Sequence, residues 1–236
     1  PPATDAAVRL QQQQQQQQQA CLERAVALHE QHRGRDTAGH VRALLALADA
    51  SPAPQQQSWM ERALAVANAG RSVDTDGPSY YAVPVLLRQA DACTERSQRE
   101  RRTELLRQAL AAAQAQLGTE HLALVPVLNA AAADADARGD LAATRALLER
   151  TLAIQEAFLG AGHRDVIPVL TRLASLYRRL GQVGAQKVAL ERLLALQGWH
   201  LGDDHRDVAF TLFELALVNK QLGDRHTAST LVERSV

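Results

Sequence analysis

The sequence predicts an all-α solenoid of antiparallel helix pairs, and three observations predict it. The first is an internal period. Leu117-Gly118, Leu159-Gly160 and Leu201-Gly202 are each 42 residues apart, as are His121, His163 and His205. Gly139, Gly181 and Gly223 keep the same step, as do Pro84, Pro126 and Pro168. So do the triplets Leu148-Glu149-Arg150, Leu190-Glu191-Arg192 and Val232-Glu233-Arg234. A fixed period of roughly 20–50 residues is the mark of stacked repeats, whose units bury their apolar faces only against neighbours. The second observation is composition. Ala, Leu, Gln, Arg and Glu dominate, and all favour helix, while alternating runs of β-branched and aromatic residues are nearly absent. The third is helical spacing of apolar residues inside each period.

The elements follow in order. Gln11–Gln19 is a glutamine tract leading directly into a helical pattern at Leu22; it reads as a solvated helix extension. Residues 1–36 form a leading helix with this tract, and 37–236 a solenoid of five helix pairs at 37–78, 79–118, 119–160, 161–202 and 203–236. The last pair reads as truncated, with the native chain continuing or another subunit covering that end. Ser51-Pro52-Ala53-Pro54 separates the helices of the first pair. The phase slips near Gly34 and around Asp74–Pro78, both Gly- or Pro-rich, as expected of insertions in loops. Tyr81–Cys93 and Gln98–Leu117 make the second pair, and His121–Arg138 and Leu141–Leu159 the third. Ala131, Ala132 and Ala135 let the third pair approach closely. In the fourth, Val166, Val169, Leu170, Leu173, Leu176, Tyr177 and Leu180 form one apolar stripe. Asp165 is placed to accept the first free amides, Pro168 sits in the first turn, and Gly181 ends the helix in a left-handed conformation. A second helix then runs from about Val183, and Gly202 closes it. Asp207–Leu222 and Arg225–Val236 repeat the pattern.

These residues carry a resemblance. Leu-Gly-x-x-His-x-Asp-Val at Leu159–Val166 and Leu201–Val208, then Leu173-Ala174, Tyr177, Gly181 and Leu190-Glu191-Arg192, resemble the tetratricopeptide repeat of the kinesin-light-chain type. The likeness covers Tyr81–Val236 well and Cys21–Gly70 loosely. It implies a right-handed superhelix in which the first helix of each pair lines a concave groove. In that family the groove receives extended cargo peptides, commonly through two adjacent asparagines per repeat. Here those positions read Asn129-Ala130, Thr171-Arg172 and Phe213-Glu214, and only Asn129 matches. A surface tailored to one fixed partner suits this departure better than a generic peptide clamp.

Composition narrows function. Twenty-six basic residues balance 26 acidic ones, so no strong field recruits nucleic acid or an anionic membrane. Aromatics are 3%, too few for base-stacking platforms. Cys21 and Cys93 have no second ligand at metal spacing and read as reduced, packed thiols. That fits a reducing intracellular compartment, cytoplasmic or cytoskeletal and ciliary, with an organelle open because a chain starting at Pro1 is a processed product or a fragment. No apolar run reaches the ~18–20 residues that cross a bilayer.

Candidate chemistry is sparse. The three phased histidines cannot converge on one metal, since stacked repeats lie ~10 Å apart and a zinc–nitrogen bond is ~2.1 Å. They read as loop residues bonding backbone groups at helix starts. His29 and His32 share a helix face without further ligands. No nucleophile elbow, phosphate loop or dinucleotide fingerprint occurs, and the recurring Glu-Arg pairs read as packing and surface ion pairs. Arg96–Arg107 reads as a solvated helix laced with i,i+4 pairs, and Trp59 and Trp199 as packing residues. The expectation is therefore a non-enzyme with no catalytic residue, no cofactor and no metal, binding other proteins as a scaffold or adaptor in a larger assembly. Its groove contacts are Arg88, Asn129, Arg172, Phe213 and Glu214, with Phe213 the exposed aromatic among polar neighbours. A motor-type peptide binder, a ribonucleoprotein subunit and a regulatory region of a larger enzyme are the alternatives.

Overall fold

A computed structural model describes residues 2–31, 36–69 and 80–235. The phase slips at Gly34 and Asp74–Pro78, and His32, lie outside them. Among the described residues there are eleven α-helices and no strand. They are α1 (Pro2–Gln31), α2 (Thr37–Ala50), α3 (Ala53–Ala69), α4 (Val83–Ala92), α5 (Arg99–Leu117), α6 (Val125–Ala137), α7 (Leu141–Leu159), α8 (Val166–Arg179), α9 (Val183–Leu201), α10 (Arg206–Gln221) and α11 (Arg225–Arg234). Short 3₁₀ turns precede α4, α5 and α6. The contacts form two compact units, Pro1–Thr119 and Glu120–Val236.

In the first unit α1 lies on α2, α2 pairs with α3, α3 meets α4, and α4 pairs with α5. Leu44, Leu47 and Ala48 of α2 are buried with Met60, Ala63 and Ala67 of α3. The glutamine tract is helical throughout, and Gln13–Gln18 face solvent. Cys93 is buried, its Sγ 3.3 Å from the Gln89 carbonyl, but Cys21 is exposed. The packed-thiol reading therefore fails for Cys21, which lies on the outer face of α1. On α5 Arg107 pairs with Glu104 at i,i+3, and Gln108 meets Glu104 at i,i+4. Both Arg107 nitrogens reach Glu104, at 2.7 and 2.8 Å, and Gln108 also donates to it, at 2.8 Å. These bonds hold the Glu104 carboxyl down to about 2.

The second unit is three hairpins, α6–α7, α8–α9 and α10–α11, with α7 on α8 and α9 on α10. The expected stripe of α8 is its core. Val166, Val169, Leu170, Leu173 and Leu176 are buried, with Tyr177 and Leu180 at the margin. Ala132, Leu148, Val169, Leu173 and Leu176 pack together, and Leu170, Leu190, Leu193, Leu212 and Leu215 continue the core toward α10. Ala132 and Ala135 are fully buried, as the expected close approach of α6 and α7 requires.

The hairpin turns repeat in detail. Gly139, Gly181 and Gly223 take φ of 78°, 67° and 87°, the left-handed region that glycine enters freely. Each lets the next amide reach back five residues, Asp140 to Ala135, Gln182 to Tyr177 and Asp224 to Asn219, at 2.9–3.0 Å. Asp140 and Asp224 then cap the following helix, each Oδ1 accepting from the amide three residues on at 3.0 Å. Gln182 fills the same position without a side-chain cap.

The three histidines have one role. Nδ1 of His121, His163 and His205 accepts from the amide two residues on, at 3.1, 3.2 and 3.1 Å. This also corrects the reading of Asp165. Its side chain makes no cap bond, and its amide is the donor that His163 satisfies. Asp165 already has helical backbone angles, φ −67° and ψ −11°, rather than the extended ones usual for a capping residue, and the imidazole caps the turn instead. Trp199 corrects a second expectation: it is 84% exposed and packs in no core. Trp59 is half-buried, with the Arg62 guanidinium 4.7 Å from its ring centre.

Candidate protein-binding groove

The first helices of the second unit are tied together by side chains rather than by backbone. Arg172 Nη1 on α8 donates to Asn129 Oδ1 on α6 at 3.1 Å. Arg178 Nη1 donates to both Glu214 oxygens on α10, at 3.2 and 3.3 Å. Arg179 pairs with Asp136 of α6. Guanidinium forks suit such bridges because they offer several donors in a fixed plane. The result is a polar surface whose side chains are held by one another.

Behind this surface the second helices carry their own ties. Arg192 of α9 pairs with Glu156 of α7, and Tyr177 Oη of α8 donates to Glu149 Oε1 of α7 at 3.0 Å. Burial, and then the Glu149 bond, push the Tyr177 hydroxyl up. Glu149 and Arg192 of the repeated triplets are thus structural bridges, and Glu191 lies 3.9 Å from Lys187.

The candidate residues separate into four groups. Asn129 and Arg172 meet directly. Glu214 is next in phase but is mostly covered, and it faces Arg178. Phe213 stands on the exposed side of α10, beside a crevice of about 520 Å³ between α10 and α11. Arg88 lies in the other unit, its Nη1 3.0 Å from Asp49 Oδ1. Two further exposed apolar residues escaped the sequence reading. Phe210 and Leu217 share the exposed face with Phe213. Their signal was there, since 210, 213 and 217 are spaced i, i+3, i+7.

No metal-holding group of three or more His, Cys, Asp or Glu occurs among the described residues. Within the first unit His29 stacks on His40, ring centres 5.8 Å apart and planes 10° apart. Burial lowers His40 below its ordinary value. No described helix is long and apolar enough to cross a membrane.

No protein-family model matches the chain, and no curated protein matches it. Solved structures do. BtubC (BKLC) from P. vanneervenii superposes with a TM-score of 0.70 at 20% identity, over 94% of this chain and 89% of that one. A putative kinesin light chain from Podospora anserina with nearly identical TPR-like repeats superposes with a TM-score of 0.59 at 24% identity, over 91% and 94%. Its Q17M variant gives 0.59 over 85% and 94%. At these identities the likeness concerns backbone architecture, and it agrees with the phase of the hairpins and their glycine turns. The chain has the all-α fold of tetratricopeptide-like helical repeats.

Proposed function

We propose that this protein is a non-enzymatic scaffold or adaptor that binds other proteins through the first helices of its second unit. The observation that carries the reading is the bridged polar surface on α6, α8 and α10, centred on the Arg172–Asn129 bond. Catalysis needs a reactive group placed once; here the chemistry-bearing residues recur in phase and are engaged with one another. Fixed shape, exposed apolar side chains and satisfied charges are what a docking surface requires. The proposed contacts are Asn129, Arg172, Phe213 and Glu214, with Arg88 serving the first unit separately. The five helix pairs assigned above are the units that present them. The neighbours support this reading through fold alone.

The test is site-specific photocrosslinking in the protein's own cell extract. A photoreactive residue replaces exposed Thr171 on α8 or, as a control, exposed Ala153 on α7. Discrete protein adducts from the Thr171 position, absent from the Ala153 position, are expected. Equal labelling from both positions, or none from either, would reject the groove.

A further inference from the structure

The phase of the repeats allows α10 to be compared with α8 and α6 residue by residue. On α10, Phe210, Phe213 and Leu217 are 64%, 46% and 42% exposed. The residues 42 earlier on α8 are Pro168, Thr171 and Ser175. All three are exposed, although α10–α11 follows and packs on α9. On α6 the equivalent residues are Pro126, Asn129 and Ala133. This face is therefore not the seam that a following hairpin covers. That seam runs through Leu170, Ala174 and Leu190, which pack with Val208, Leu212 and Leu215 of α10. Val232 belongs to it too, being 42 after buried Leu190, and carries no part of the argument. Two phenylalanines and a leucine thus stand where the interior repeats place small or polar side chains. Each exposed phenylalanine leaves on the order of 100 Å² of apolar surface in water, and nothing in the packing of the repeats calls for it.

The charges around the stripe say what covers it. Arg206 lies one turn before Phe210 on the same face, and its side chain is 95% exposed. Lys220 lies one turn after Leu217 and is exposed, and Arg225 lines the crevice beside it. The acidic groups nearby are mostly engaged. Glu214 is held by Arg178, and Asp207 lies 3.9 Å from Arg206 Nε in the first turn of its own helix. Glu233 is the one carboxylate on the crevice wall. The stripe spans ~10 Å over two turns, a ridge that matches the contact face of one helix laid ~8–10 Å away.

We propose that the Phe210–Phe213–Leu217 face of α10 docks an amphipathic helix of a partner protein. Apolar residues of that helix at i, i+3 or i+4 and i+7 cover the stripe, and acidic residues flanking them meet Arg206, Lys220 and Arg225. The proposal rests on the protein-binding reading and names the partner's chemistry.

The probe is a fluorescent helical peptide of about 18 residues, long enough to hold helix in water, with leucines on one face and glutamates on both flanks. Its twin carries lysine for glutamate. Binding to the full chain is read by anisotropy at two salt concentrations. The key variant is Phe213→Thr with Leu217→Ser. These are the residues already exposed on α8 at the same phase, so the helix keeps its fold, which circular dichroism checks. Saturable binding of the glutamate peptide, at least about tenfold weaker in the variant and weaker in salt, is expected. Lys220→Glu with Arg206→Glu should shift preference to the lysine twin. No binding, equal binding of the twins, or undiminished binding by the variant overturns the proposal. So does a dimer seen by ultracentrifugation and lost in the variant, which would give the face to a second copy of the chain. Adducts from Thr171 that persist in the variant would leave the scaffold reading standing while removing this one.

Discussion

At the scale of single residues, the phased histidines bond backbone amides at helix starts, as their spacing predicts, while the neighbouring Asp165 does not cap as expected. The sequence marked His163 and Asp165 together at a helix start, and the usual preference for aspartate at that place made the carboxylate the cap. In the structure the imidazole accepts the amide and the carboxylate faces solvent. His163→Ala is therefore expected to cost about 1 kcal/mol, the usual worth of such a bond, and Asp165→Ala distinctly less. Urea titration of both variants checks the order. A different histidine carries the pH dependence. Burial lowers His40, and its neighbours His29 and Arg62 act the same way while Glu30 opposes them. Asp36, which caps α2 through the Gly39 amide at 2.7 Å, adds a second carboxylate nearby. With the folded value below the ordinary 6.5, the unfolded chain binds more protons in the window between them. The stabilising contribution is complete above the ordinary value and is lost as pH falls through that window. The first unit should thus have a lower urea midpoint at pH 5 than at pH 7.5, and His40→Gln should flatten the difference. Trp59 fluorescence reports it, in a Trp199→Phe background that leaves the exposed α9 site otherwise unchanged. None of this was legible in the sequence. His29 and Glu30 come from α1 and Arg62 from α3, so no spacing along the chain brings them to His40.

At the scale of elements, most of the fold was legible. Glycine, proline and the apolar stripe each act locally, and a 42-residue phase multiplies a weak local signal into a firm one. The bounds of α7 coincide with the expected Leu141–Leu159, and α9 begins at the expected Val183. What stayed hidden was face. Trp199 and Val188 look like core by residue type, but both point outward from α9. Only the neighbouring helices decide which stripe is covered. Glycine gives a sharp test of the local part. Gly181 and Gly184 both have open space where a Cβ would go, and they differ in backbone: Gly181 has φ +67°, while Gly184 is an ordinary helical residue of α9. Gly181→Ala should cost about 1–2 kcal/mol for the left-handed conformation. Gly184→Ala should stabilise by about 0.4–1 kcal/mol, because it restricts the unfolded chain. Thermal melts of the two variants should move in opposite directions. Movement in the same direction would mean that space, not φ, governs these turns.

At the scale of the whole molecule, stability follows from neighbour contacts. Each hairpin of the second unit touches only the hairpins next to it, and such arrays behave as sums of unit and interface terms. Leu173 is the residue to probe. It is 1% exposed and packs with Ala132, Leu148, Val169 and Leu176, so it joins α8 to α6 and α7. Leu173→Ala should cost about 2–5 kcal/mol. In a globular core that loss would lower protection everywhere at once. Here hydrogen exchange should quicken most in α6, α7 and α8, less in α10 and α11, and least in α2 and α3, whose buried residues belong to the other unit. A uniform rise in exchange across all eleven helices would show the chain unfolding as one body, and the nearest-neighbour account of its stability would fail. A graded rise would mean that a substitution such as Phe213→Thr, made at the α10 end, leaves the Arg172–Asn129 bridge intact, so that binding lost there reports contact rather than collapse.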